Sequence, residues 1–279
     1  MERYIDENKK WWDEIAEINF NSKMYNVKEF IDGKISLLPI IVEETKNLFK
    51  DKKILHLQCH FGMDSISLVR NGAKEVTGID FSDNAIKYAN YLKEQIGMEH
   101  VNFIQSDIYK LDEVLTEKYD VVFTSLGVLE WLYDLDKWGY MIQKHLKSGG
   151  IFYIFDYHPM ALVFSRESRV NEFKVTHSYF KEDMPYRLIN GSAYSNTSIK
   201  LKNIANEWQH SISELLNSLI SNNLKLVSMK EYPFIDYMKF PFMEKMEDKQ
   251  YWYAKGYNLP YMFSLLMKKE EEECENSRN

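Results

Sequence analysis

Residues 55–62 read LHLQCHFG, which puts His56, Cys59 and His60 within five positions. Histidine and thiolate are metal ligands, and a thiol beside a base is a nucleophile. Three donors in one strand-to-loop segment, without a second cluster such as a C-x-x-C pair, do not complete a zinc site, so no metal is expected. On a strand, His56 and His60 would share a face and Cys59 would take the other. A nucleophilic Cys59 would need a lowered pKa, and cysteine is among the most often buried residue types. A small buried loop residue is therefore expected there. Two acids follow at strand-like ends, Asp80 in EVTGIDF and Asp107 in VNFIQSD. At such a position a carboxylate can accept two hydrogen bonds from ribose hydroxyls. His158, beside Asp156 and Tyr157, and His210, near Glu207 and Trp208, are the candidates for a catalytic base.

These residues need elements to position them. From residue 53 onward, short apolar runs alternate with helix-like stretches. KILHLQC (53–59), EVTGIDF (75–81), VNFIQSD (101–107), YDVVFTSL (119–126) and GIFYIFDY (150–157) read as strands. SDNAIKYANYLKEQIG reads as a helix capped by Ser82, with Ile86, Ala89 and Leu92 on one face. DLDKWGYMIQKHLKSGG reads as another, its apolar stripe running from Leu135 to Leu146 and its stop at Gly149 and Gly150. Strand–helix alternation predicts a doubly wound α/β fold with a mostly parallel sheet. In such sheets the ligand lies outside the carboxyl ends of the strands, where the strand order reverses.

Residues 1–50 are expected to form an N-terminal helical cap, with Trp11, Trp12, Ile15 and Ile18 at helical spacing and a second helix in ISLLPIIVEETKNLFK. After 157 the alternation lapses. Residues 158–205, including the hairpin candidate RLINGSAYSNTSIKLKNI, are expected to form an insertion covering the site. A helix in HSISELLNSLISNNL and two strands, KLVSMKEY and YMFSLLMK, complete a core spanning 51–157 and 206–268, and 269–279 is expected to be a disordered tail.

A nicotinamide dehydrogenase would show G-x-G-x-x-G after the first strand, so that backbone amides could approach a pyrophosphate. Here the loop has one glycine, Gly62. A cofactor without phosphates fits better.

LHLQCHFGMDSISLVRNGAKEVTGIDFS, QSDIYKL, YDVVFTSLGVLEWL and LKSGGIFYIFDYHP, in this order over 53–160, resemble the successive motifs of class I S-adenosylmethionine-dependent methyltransferases. Within them, the first motif resembles that of a bacterial small-molecule group. The resemblance implies a Rossmann-like seven-stranded sheet with an antiparallel last strand and S-adenosyl-L-methionine as cofactor. It implies that Gln58, Cys59, His60 and Gly62 lie against the methionine part, that Asp80 takes the ribose hydroxyls with Ser82 following, and that Phe81 flanks the adenine. Asp107 would accept from the adenine amino group with Ile108 against the ring. Ser125 and Leu126 would border the sulfonium and the acceptor. The family commonly has an acid where His56 stands and glycines where Gln58 and His60 stand, so a differently shaped loop is expected. A degenerate fold that binds without transferring is the alternative.

The chain has 279 residues, with a net charge of −7 and an aromatic share of 15%. Lysine and arginine are scattered, and the longest charge run, KKEEEE at 268–273, is acidic. That argues against a nucleic-acid partner. The fourth strand ends in TSLG, not in the Asn/Asp-Pro-Pro-aromatic motif of base-amine methyltransferases. A small-molecule acceptor methylated on oxygen or nitrogen is expected, by a monomer or homodimer. Two distant cysteines, Cys59 and Cys274, no signal-like N-terminus and no long apolar run lead to the expectation of a cytoplasmic protein without a membrane partner.

Overall fold

In the computed structural model, which describes residues 1–165, 171–246 and 251–271, each apolar run read above is a strand. They are β1 (Lys53–Leu57), β2 (Glu75–Asp80), β3 (Val101–Gln105), β4 (Tyr119–Ser125), β5 (Leu146–Tyr157), β6 (Leu224–Tyr232) and β7 (Met262–Lys269). The sheet order is β6–β7–β5–β4–β1–β2–β3. β7 runs antiparallel to both β5 and β6, and the pairs among β1 to β5 are parallel. The order reverses between β1 and β4, so the crevice expected to hold a ligand opens beyond Leu57 and Ser125.

β1 and β4 are apolar nearly throughout because helices cover both faces. Alternate residues feed two cores. Ile54, Val76, Val121, Phe123, Tyr153 and Phe155 pack on one face. Leu55, Leu57, Ile79, Val122, Phe152 and Ile154 pack on the other. Among the described residues eight α-helices surround the sheet: α1 (Glu2–Phe20), α2 (Val27–Ile31), α3 (Pro39–Thr45), α4 (Met63–Arg70), α5 (Asp83–Ile96), α6 (Leu135–His145), α7 (Pro159–Leu162) and α8 (Ile212–Ser221). α5 starts at Ser82, whose side chain accepts from the Ala85 amide, and ends at Gly97 in the left-handed region. α3 begins only at Pro39, because proline restricts the residue before it and suits the first helical turn.

One boundary differs from the sequence reading. α6 stops at His145, not at the glycines, because Leu146 is extended and pairs with Tyr119, so β5 begins there. The chain between β6 and β7 is not a short connection. Residues 233–261 form a second excursion, held by a ribbon of Met243–Lys245 with Trp252–Ala254.

The insertion carries two small ribbons, Tyr186–Leu188 with Ala205–Glu207 and the hairpin Ser192–Ala193 with Asn196–Lys200. α1 packs on it through Trp11 and Ile15 against Ala193, Leu201 and Ala205. Asn8 and Asn206 bond reciprocally, Asn8 Nδ2 to the Asn206 carbonyl at 2.8 Å and the Asn206 amide to Asn8 Oδ1 at 2.7 Å. Cap and insertion therefore form one cover. Among the described residues no helix is long and apolar enough to cross a membrane. Cys274 and residues 272–279 of the expected tail lie outside the described residues.

Candidate functional site

The loop after β1 takes the left-handed conformation three times: Gln58 at φ +54°, His60 at +52° and Gly62 at +75°. Only glycine does this without strain. Gln58 and His60 thus hold the left-handed backbone conformation that glycine adopts most readily. The fold of the loop is enforced from around it. Cys59 N donates to the Ile79 carbonyl at 2.9 Å, and His60 N to Asp80 Oδ2 at 2.8 Å. Gly62 has no room for a side chain, since a Cβ there would stand 2.3 Å from the Phe103 ring.

His56, Cys59 and His60 diverge. His56 Nδ1 meets Ser65 Oγ at 2.8 Å, tying β1 to α4. Burial lowers the His56 pKa to about 3, so the ring is neutral. Cys59 is buried, its Sγ lies against the spot a Cβ on Gly78 would fill, and burial pushes its thiol well above the usual range. It is no nucleophile at neutral pH. The His60 ring packs on Phe61, Trp12 and Tyr25, at centroid distances of 4.1, 5.3 and 5.8 Å. Burial lowers its pKa to about 3 as well.

Asp80 closes the next wall. Oδ2 accepts from His60 N, and Oδ1 accepts from Ser82 N at 2.9 Å. Burial raises this carboxyl to about 6, against the pull of those amides. Phe81 is half-buried, and its carbonyl accepts from Gln105 Nε2. The Ser106 amide bonds the Asp80 carbonyl at 2.9 Å, which brings Asp107 and Ile108 alongside. Asp107 Oδ1 accepts from Tyr109 N and so caps the short 3-10 helix Ile108–Glu113, with Ile108 buried beneath.

On the far side, Leu126 at φ +48° and Gly127 at +71° turn the chain after β4. Asp156, buried at the end of β5, shapes this turn by accepting from the amides of Gly127, Val128 and Leu129. Gln58 Nε2 spans the crevice to the Val128 carbonyl at 3.2 Å, while its Oε1 is buried without a hydrogen-bond partner among the described residues. Ser125 Oγ donates to Asp64 Oδ2 at 3.0 Å. α1 closes the top: Asp13 accepts from Ser82 Oγ at 2.6 Å and from Asn84 N at 3.2 Å. Trp12 sits against both His60 and Trp131. Gln58, Cys59, His60, Gly62, Asp80, Phe81, Ser82, Asp107, Ile108, Ser125 and Leu126 thus gather along one edge of the sheet, at the reversal of strand order.

The two histidines do not join them as free bases. His158 caps α7, its Nδ1 accepting from Met160 N at 3.0 Å, and its Nε2 faces Glu231 on the outer strand β6 at 2.8 Å. Burial holds it below its usual value, against the opposing pull of Glu231. His210 places Nε2 2.6 Å from the Leu132 carbonyl and Nδ1 3.2 Å from Glu214. Each ring is tied through one nitrogen to a backbone group and faces a glutamate with the other; Glu231 and Leu132 are remote in sequence, Met160 and Glu214 local.

Sequence reasoning passed over Asp64, Tyr157 and Asp236. Asp236 lies in the 233–261 excursion, and burial raises its carboxyl to about 6. The signal for that excursion is present: Pro233, Pro241 and Pro260 punctuate an aromatic stretch too long for a hairpin.

A family model described as a methyltransferase domain matches residues 48–232. A protein named as a putative protein N5-glutamine methyltransferase, from Methanocaldococcus jannaschii, is 29% identical over 156 residues, which is 44% of this chain and 76% of that protein. An uncharacterized RNA methyltransferase from Protochlamydia amoebophila is 39% identical over 62 residues, only 22% of this chain and 14% of that protein. The crystal structure of an S-adenosylmethionine-dependent methyltransferase from Mesorhizobium loti aligns at a TM-score of 0.59 and 16% identity, covering 85% of this chain and 99% of that one. One from Clostridium acetobutylicum aligns at 0.58 and 16%, covering 93% and 99%. At these identities the structural matches show the shared fold.

Proposed function

Since the chain belongs to the methyltransferase domain family and is a class I S-adenosylmethionine-dependent methyltransferase, we propose that it methylates an oxygen or nitrogen atom of a small molecule. The observation that carries this reading is the cover. Trp12 of α1, Tyr25 just after it, Tyr194 of the insertion and Asp236 of the excursion come together beside His60 and the β1 loop, which supports a covered site. A large polymer surface would need that edge open, and an enclosed one suits a small acceptor.

The cofactor supplies a methyl group on a positively charged sulfur, so the protein has to hold, align and exclude water. In this reading Asp80 takes the ribose hydroxyls with the lone pairs its two amides leave over. Phe81 and Ile108 flank the adenine. Gln58 Oε1 and His60 Nε2, both buried and without a hydrogen-bond partner among the described residues, offer polar contacts to the methionine part. Ser125, Leu126 and Gly127 border the transfer point. His158 and His210 serve here as positioning residues for α7 and α8.

Protein and RNA methyltransferases among the relatives leave the acceptor class to experiment. Calorimetric titration with S-adenosylhomocysteine should show saturable binding, weakened at least tenfold by Asp80→Ala. Absence of binding to the wild type would overturn the cofactor site. Methylation of bulk protein or RNA, in preference to a small-metabolite fraction, would overturn the acceptor class.

A further inference from the structure

Beyond the ends of β4 and β5, phenols and carboxylates meet that the cofactor reading leaves unused. Tyr157, the last residue of β5, lays its ring over Gly127, where a Cβ would sit 3.4 Å from Tyr157 Cε2. Its hydroxyl points to Asp236 Oδ2 at 3.5 Å, and its ring meets Tyr237 edge-on at 5.8 Å. The Asp236 backbone is held by a reciprocal pair of hydrogen bonds between Ile235 and Trp252. Its Oδ1 is sealed from solvent without a hydrogen-bond partner among the described residues. From the opposite side, Tyr25 packs on His60 and Phe61, shares a 2.6 Å hydroxyl–hydroxyl hydrogen bond with Tyr194, and feels the charges of both Asp64 and Asp236. These groups therefore meet where the β1 loop, the β4 turn, the cap, the insertion and the excursion come together.

Among the described residues the charge here is one-sided. Asp64 pairs with Ser36 and Ser125, Asp156 with backbone amides, and Asp236 with Tyr157 and its own backbone amide. None of these partners is a lysine or arginine. An uncompensated buried carboxylate is costly and recurs where a ligand supplies the missing partner. A negative enclosure rimmed by tyrosine rings and hydroxyls suits a cation and repels an anion.

Resting on the methyl-transfer reading above, we propose that the acceptor is an amine and that Asp236 is the residue that receives it. The carboxylate draws in the ammonium and takes one of its protons, which frees the nitrogen lone pair. That pair forms the nitrogen–carbon bond as the carbon–sulfur bond breaks. The electron pair of the broken bond stays on sulfur, and the product leaves as a methylammonium. Tyr157 positions the carboxylate through its hydroxyl. The Oδ1 lone pairs, which accept no hydrogen bond from another side chain among the described residues, are the ones offered to the amine.

The test needs no identified acceptor. Sinefungin carries an amine on carbon where the cofactor has its methylsulfonium, so it delivers a cation to the transfer point. Calorimetry should find it bound about tenfold more tightly than S-adenosylhomocysteine by the wild type, as a charge-assisted contact implies. Asp236→Asn should abolish the preference while S-adenosylhomocysteine affinity stays within about twofold. Asp236→Glu, which keeps the charge, should retain part of it. No preference in the wild type, or the same preference in Asp236→Asn, overturns the proposal. Loss of S-adenosylhomocysteine binding in Asp236→Asn marks a structural carboxylate and overturns it too. A wild type that fails to bind S-adenosylhomocysteine would instead overturn the cofactor reading.

Discussion

Asp236→Asn should make the protein more stable at neutral pH. Burial carries this carboxyl from 3.8 to about 6, and its Oδ1 has no hydrogen-bond partner among the described residues. A folded value raised above the unfolded one means that the native state holds a proton the unfolded chain has released. Stability therefore falls as pH rises between about 4 and about 6, and the loss is complete above that window. A displacement of this size is worth about 3 kcal/mol. The amide keeps the Tyr157 contact but brings its own polar group into the enclosure, which leaves a gain of about 2 kcal/mol at pH 7.5. At pH 4 both side chains are mostly neutral, and the difference should shrink to about 0.5 kcal/mol. Urea unfolding at pH 4, 5.5 and 7.5, with a common slope, measures this directly. Variant and wild type must be compared at each pH, because His56 and His60 act oppositely. Burial lowers both to about 3, so their contribution is whole above 6.5 and is lost as pH falls below it. A variant no more stable at pH 7.5, or a gain independent of pH, would refute the burial argument.

Gly62→Ala should cost about 2–4 kcal/mol, from a left-handed β-carbon and its collision with the Phe103 ring. A double-mutant cycle with Phe103→Ala should return at least about 1 kcal/mol of that; an additive cycle would show that the ring is not the obstacle. His158→Ala should destabilise by about 1–2 kcal/mol through loss of the α7 cap and leave S-adenosylhomocysteine affinity unchanged; a selective fall in turnover with unaltered stability would restore it as a base. Trp12, against His60 at 5.3 Å, should report ligand binding as a change in tryptophan emission, and Trp12→Phe should remove most of it. An unaltered signal in that variant would place the ligand elsewhere.

The parallel core was legible because β1 and β4 are buried on both faces and announce themselves as apolar runs. The strand-end acids Asp80 and Asp107 were legible because chain direction alone places them at the sheet edge. Other features depend on groups far apart in the chain. His158 looks like a base until Met160 N and Glu231 are seen to occupy its ring, and Glu231 arrives on another strand. Asp236 has no motif: its environment comes from Tyr157, Tyr25 and the Trp252 backbone. The helical reading of 146–149 failed because Leu146 has an alternative partner in Tyr119, and pairing across the sheet outweighed local propensity.

Gln58 and His60 show why a glycine loop can be rebuilt without glycine. Each left-handed side chain costs on the order of 1 kcal/mol. Glycine would avoid that cost but would bring no side chain. Gln58 uses its amide to tie the β1 loop to the Val128 carbonyl across the crevice. His60 offers a neutral ring on which Phe61, Trp12 and Tyr25 pack, so that the cap rests on the loop itself. A hydrogen bond nets about 1 kcal/mol and each aromatic contact about the same, enough to offset the strain. The compensation holds only while the cap is seated. The two straining side chains therefore fasten the β1 loop on two sides, Gln58 to the turn after β4 and His60 to Trp12 and Tyr25 of the N-terminal segment.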